Sequence, residues 1–173
     1  KDYVGSETTI TKAIERFKPL NDNLNLYLSY NVLGITLGGL GEVEKSQTYY
    51  NQALYYLKQE PYDKKLEATI INNIGVVLRE NKQYKKAIQN FNTVLETDSL
   101  EIKNPDLYAK ALSNLASSKL YDKDTSDVKK LLLKAIEIKQ KENAIASLAS
   151  SYLSYAEYNA YAADTLTAIA NAK

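Results

Sequence analysis

Apolar side chains recur three and four positions apart along most of this chain, at Ile71, Ile74 and Leu78 and again at Ala87, Ile88, Phe91, Val94 and Leu95. That spacing follows the helical period and not the alternation of a strand, so the pattern predicts helices. The pattern also repeats. "YNVLGITL" at Tyr30–Leu37, "INNIGVVL" at Ile71–Leu78 and "LSNLASSK" at Leu112–Lys119 place Gly34, Gly75 and Ala116 at successive intervals of 41 residues. Tyr50 and Ala53 recur at the same interval as Phe91 and Val94, then as Leu132 and Ala135. Two series in step predict a tandem array of structural units.

Breaks divide each unit into a pair of helices. "GGLGE" at Gly38–Glu42, "ENKQY" at Glu80–Tyr84 and "DKDTSD" at Asp122–Asp127 all fall between a first and a second helix. Pro19, Pro61 and Pro105 fall between units instead, where a missing N–H ends one helix or opens the next without loss. "NPDL" at Asn104–Leu107 reads as a cap followed by proline in the first turn. The predicted organisation is one array over 1–173. Residues 1–21 are the second helix of an upstream unit, 22–62 and 63–104 are full units, 105–142 is a degenerate unit and 143–173 an incomplete one. In that last unit a second helix is expected from about Asp164. Within "INNIGVVL", Ile71, Ile74 and Leu78 are expected to pack, while Gly75 allows close helix approach at a propensity cost of roughly 1 kcal/mol. Asn72 and Asn73 are expected to face away from that packing.

Composition narrows the chemistry. Cysteine and histidine are both absent, which removes disulfides, thiolates, imidazole bases and the usual zinc ligands. Twenty-two basic residues against 21 acidic ones leave a formal charge of +1, too little field to attract nucleic acid. The run from Asn23 to Gly41 carries no charge, but its three asparagines and four glycines favour a buried helix over a membrane span.

These residues resemble the tetratricopeptide repeat, which has large apolar positions around Leu-Gly on the first helix and an alanine, aromatic, alanine series on the second. Tyr30, Leu33, Gly34, Leu37, Ser46, Tyr50 and Ala53 follow that order, and Ile71, Ile74, Gly75, Leu78, Tyr84, Ala87, Phe91 and Val94 follow it more closely. The third unit departs from it at Ala116, Lys119 and Val128. The ordinary repeat has about 34 residues, so 41 looks like the long-repeat branch, similar to kinesin light chain and to peptide-binding bacterial regulators. The Lys, Asn, Ile and Tyr richness also resembles repeat regions of sensor kinases and helix-turn-helix regulators in Bacteroidetes-type bacteria. That resemblance implies a cytoplasmic or periplasmic part of a larger bacterial protein.

The resemblance implies an all-α, right-handed superhelical solenoid of antiparallel helix pairs whose first helices line a concave groove. Register then offers Asn31, Asn72, Ser113 and Ser154 as one row, and Val32, Asn73, Asn114 and Tyr155 as the next. Ile35, Val76, Ser117 and Tyr158 follow one turn on. Asparagine amides both donate and accept, so Asn73 and Asn114 above all could hold the backbone of an extended peptide. Arg79 and Lys110 are the basic groove candidates and Glu80 the acidic one, which suits a neutral or mixed ligand better than a carboxylate clamp. Tyr155, Tyr158 and Tyr161 offer aromatic surface either for a ligand or for packing.

Other signals read as structure. "GITLGGLGE" lacks both the Gly-Lys-Ser/Thr ending and the dinucleotide spacing. "DKDTSD" lacks the glycine and the closing glutamate of a calcium loop, and reads as a turn with Asp127 or Ser126 capping the next helix. Lys129, Lys130, Lys134, Lys139 and Lys141 read as a solvated helix face, and most of the 15 tyrosines as packing residues. No catalytic constellation, cofactor motif or metal set stands out. Two functions remain open: a non-enzymatic scaffold that binds a peptide or protein partner, or a spacer that self-associates, as a homodimer through its repeat ends.

Overall fold

The computed structural model describes residues 3–59 and 63–171, and among these every regular element is helical. They are α1 (Tyr3–Phe17), a short 3-10 turn (Lys18–Leu20), α2 (Asn23–Gly39), α3 (Val43–Leu57), α4 (Lys64–Glu80), α5 (Tyr84–Leu95), the single turn α6 (Leu100–Lys103), α7 (Pro105–Tyr121), α8 (Val128–Lys141) and α9 (Ile145–Asn171). The chain is thus all-α, and it forms two compact units, residues 1–97 and 98–173. Pro61 lies outside the described residues.

In the first unit α2 and α3 form a tight antiparallel pair. A Cβ placed on Gly34 would stand 2.6 Å from the Tyr50 ring, and one on Gly38 would stand 3.2 Å from the Ser46 hydroxyl, so rising numbers on one helix meet falling numbers on the other. Ser46 Oγ donates to the Gly34 carbonyl at 2.6 Å, tying the pair through a buried hydrogen bond. The next pair repeats this with Gly75 under the Phe91 ring, where a Cβ would approach to 2.6 Å. Successive first helices run parallel, because Asn73 meets Asn31 at 3.2 Å and Gly38 lies against Val77. Leu26, Tyr27, Tyr30, Leu33, Tyr50, Ala53, Leu57, Ile70 and Val77 form the core with Ile14 of α1. Tyr30 also stacks on Tyr56, with ring centroids 5.4 Å apart, which confirms a packing role for these tyrosines.

The 41-residue period extends to the backbone of the turns. Gly41, Lys82 and Lys123 have φ of 80°, 61° and 66°. Each ends a first helix in the same way: its N–H bonds back three residues, and the following N–H bonds back five, as in Gly41 to Gly38 and Glu42 to Leu37. This is the Schellman arrangement, which satisfies the last carbonyls of a helix.

In the second unit α7 begins with Pro105, and the Asn104 side chain accepts from Leu107 N at 3.2 Å, the cap expected there. The turn after α7 departs from expectation. Asp127 stands at the N-cap of α8 but its side chain makes no capping hydrogen bond. Lys119 pairs instead with Asp124 at 3.1 Å and with Asp127, and Asp124 accepts from the Ser126 N–H and hydroxyl. The lysine that replaces a large apolar residue therefore buries its stem and clasps the loop with its ammonium. Hydrogen bonds from Ser126, then Lys119, hold the Asp124 carboxyl down to about 2. The expected break near Asp164 is absent: α9 runs through it as one helix of 27 residues. Alanine is the strongest helix former, and residues 156–171 hold six alanines with no glycine or proline to interrupt them.

Candidate functional site

The charge-free helix α2 buries Leu26, Tyr27, Tyr30, Leu33 and Leu37 and yet keeps apolar side chains on its other side. Leu24, Leu28, Val32 and Ile35 are 50%, 44%, 43% and 47% exposed. Their spacing of four, four and three places them on one face, in a stripe roughly 16 Å long at the helical rise per residue. A helix apolar all round is normally buried on every side, and among the described residues of the first unit this face of α2 stays exposed.

The stripe leads into a cleft of about 300 Å³ lined by Ile35, Gly39, Tyr50, Asn73, Val76, Val77 and Glu80. Gly39 adds no side chain to its wall, and Asn73, on α4, contributes an amide. Asn73 Nδ2 donates to Asn31 Oδ1 at 3.2 Å, which orients both amides and leaves Asn73 Oδ1 able to accept from a ligand N–H. Burial, reinforced by the charge of Glu80, raises the Tyr50 phenol above its ordinary range, so it stays a neutral hydroxyl. Glu80 is exposed on the cleft wall and faces Arg79 at 3.9 Å, the length of a weak surface pair. The first unit thus offers an apolar stripe, an oriented amide pair and a lone acidic lining residue within one surface.

The other expected groove residues divide. Asn72 is 7% exposed and does not turn away from the packing, a correction with a simple cause: α4 packs on α2, α3 and α5, so its buried arc is wider than a single 3–4 stripe. Ser113 and Ser117 are buried as well, because α7 packs on α9 with serine against serine. Ser113 Oγ lies 2.8 Å from Ser151 Oγ, and Ser117 donates to Ser154 at 3.1 Å. Asn114 is half-buried. Lys110 pairs with Asp106 at 2.5 Å one helical turn away, so neither basic candidate stands ready for an anion. Tyr155 and Tyr158 stack on each other, centroids 6.4 Å apart, and pack on Ala116, Leu120, Val128 and Leu132, a packing role rather than an open surface. Lys139, expected on a solvated face, is 1% exposed.

Leu24 and Leu28 were not among the groove residues expected from the sequence, and Tyr50 was expected only as a packing residue. The signal for the first two was the charge-free run at Asn23–Gly41, whose apolar side chains cover both a buried face and an open one. No helix among the described residues is long and apolar enough to cross a membrane. Among the described residues no cluster of carboxylates could hold a metal ion.

A family model described as tetratricopeptide repeat matches residues 66–141, and a second of the same description matches residues 27–56. The first spans both α4–α5 and α7–α8, and the second most of α2–α3. No curated protein matches the chain.

Proposed function

Because the chain belongs to the tetratricopeptide repeat family, whose repeats form protein-interaction scaffolds, we propose that its first unit binds a partner segment along α2 and α4. The observation that carries this reading is the exposed stripe Leu24, Leu28, Val32 and Ile35 ending at the Asn73 cleft. The segment that fits carries an apolar side chain every three or four residues and an N–H or hydroxyl for Asn73. Full burial of one such residue is worth about 1.5–3 kcal/mol. The four are already half-buried, so covering them supplies roughly 4 kcal/mol. Association costs at least that much. Binding therefore needs the cleft to take an anchoring side chain, and the affinity falls in the micromolar range, on the order of −8 kcal/mol. The scaffold acts without chemistry of its own, and in a bacterial regulator it would be the sensory part.

Selection of random peptides on the protein, followed by titration calorimetry, tests this. The selected peptides should be apolar at three- and four-residue spacing. They should lose at least tenfold in affinity for Val32→Asp plus Ile35→Asp, whose positions are too exposed for the change to unfold the helix. Peptides that bind the double variant as well as the native protein would overturn the reading.

A second reading rests on α9, where Tyr152, Leu153 and Tyr161 are exposed at 47%, 64% and 38%. It has two copies associating through this helix. Sedimentation should then show a dimer that Leu153→Glu dissociates, and a native monomer at high concentration would exclude it.

A further inference from the structure

Lys139 lies on α8 with its side chain closed off from solvent. Its Nζ donates to Ser151 Oγ at 2.6 Å and to the Ser147 carbonyl at 3.1 Å, both on α9, and to Ser113 Oγ on α7 at 3.2 Å. Three acceptors for three N–H donors is the full complement of an ammonium. Ser113 sends its own proton to the Ala109 carbonyl at 3.1 Å, which leaves its oxygen free to accept. Every one of these acceptors is neutral. Among the described residues no carboxylate stands within ion-pair distance of Nζ.

The charged groups acting on the amine both come from α7. Asp106 is joined to the cluster through Ser147, whose hydroxyl donates to Asp106 Oδ1 at 3.4 Å, and Asp106 is already paired with Lys110 at 2.5 Å. Among the described residues of α9, only serine oxygens face the amine. A buried ammonium without a counter-ion is held at a cost that a neutral amine in the same place does not carry. Burial, opposed by Asp106 and reinforced by Lys110, accordingly brings the amine down to about 8.

We propose that Lys139 is a protonation switch for the docking of α9: the charged amine in its ring of neutral oxygens weakens the hold of α9 on α7 and α8, and loss of the proton tightens it. The sign follows from linkage. The amine titrates lower when packed than when exposed, where it has the ordinary lysine value of 10.5. The opened or unfolded state therefore binds more protons between about 8 and 10.5, and stability rises with pH through that window. Below about 8 the destabilisation is fully present. With those two values the unfolding constant falls about tenfold between pH 7 and pH 9. This runs opposite to the usual loss of stability on the alkaline side, and it needs no ligand in the groove.

Two measurements on the whole chain test the switch. Lysine labelled with carbon-13 at Cε, followed by NMR, should show one resonance titrating near pH 8. Urea unfolding of the native protein should show the tenfold fall from pH 7 to pH 9, and Lys139→Met should remove the slope. A native protein with no lysine resonance titrating near pH 8 overturns the proposal, as does an equal slope in the Met variant. If Lys139→Met does not fold, Asp106→Asn takes its place and should move the low resonance to still lower pH. A low resonance that does not move in that variant would also overturn the proposal.

Discussion

Gly75 is the position where the packing of a helix pair is most directly testable. Replacing it with alanine puts a Cβ 2.6 Å from Phe91 Cε1, 2.8 Å from Cζ and 3.1 Å from Cδ1. Ordinary carbon contacts lie near 3.5–4.0 Å, so the ring must retreat by about 1 Å. Phe91 is fully buried, so its retreat must displace neighbouring atoms. Two effects oppose each other. Alanine gains about 1 kcal/mol of helix propensity over glycine, and overpacking in a closed core costs about 1–3 kcal/mol. The second wins, and Gly75→Ala should lose about 1 kcal/mol, with a melting temperature lower by about 2–4 °C for a chain of this size. Gly75→Leu should lose about 3 kcal/mol or more. Urea unfolding of Gly75→Ala, Phe91→Leu and the double variant isolates the contact, because relieving the ring should make the pair less than additive by about 1 kcal/mol. Additive losses, or a Gly75→Ala variant as stable as the native protein, would refute the close approach.

Two further substitutions test the repeat's internal devices. Lys82 sits in the left-handed region, at the register position where the first pair has Gly41. Lys82→Gly relieves about 1–2 kcal/mol of strain against a glycine entropy cost of about 0.5–1 kcal/mol, so denaturant unfolding should show a net gain of about 0.5 kcal/mol. Gly41→Ala should lose about 1 kcal/mol although nothing lies within 4 Å of the new Cβ, since its φ of 80° alone is unfavourable to alanine. Ser46→Ala removes the buried hydrogen bond to the Gly34 carbonyl and should cost about 1 kcal/mol by thermal unfolding, with the peptide affinity of the cleft unchanged.

The pairing of helices was legible because it depends on residue types with few substitutes: a small residue at Gly34, Gly75 or Ala116 facing Tyr50, Phe91 or Leu132. The backbone period was not, since of Gly41, Lys82 and Lys123 only the glycine is a residue type that signals a left-handed conformation. There the helix end imposes the conformation, and the Schellman hydrogen bonds stabilise it even in lysine. The site was half legible. A 3–4 pattern reveals one packed face, whereas α4 and α7 each bury more than one, so Asn72, Ser113 and Ser117 were assigned to an opening that neighbouring helices fill. The same limit hid the stripe on α2, because apolar residues on a helix look buried until the number of neighbours is known. Lys139 is the sharpest case. Its burial depends on small hydroxyls at Ser113 and Ser151, 26 and 12 positions away, and a leucine at either would leave the amine without that acceptor. The oxygens facing it decide whether a lysine on an apolar helix is solvated or enclosed, and those oxygens belong to other helices.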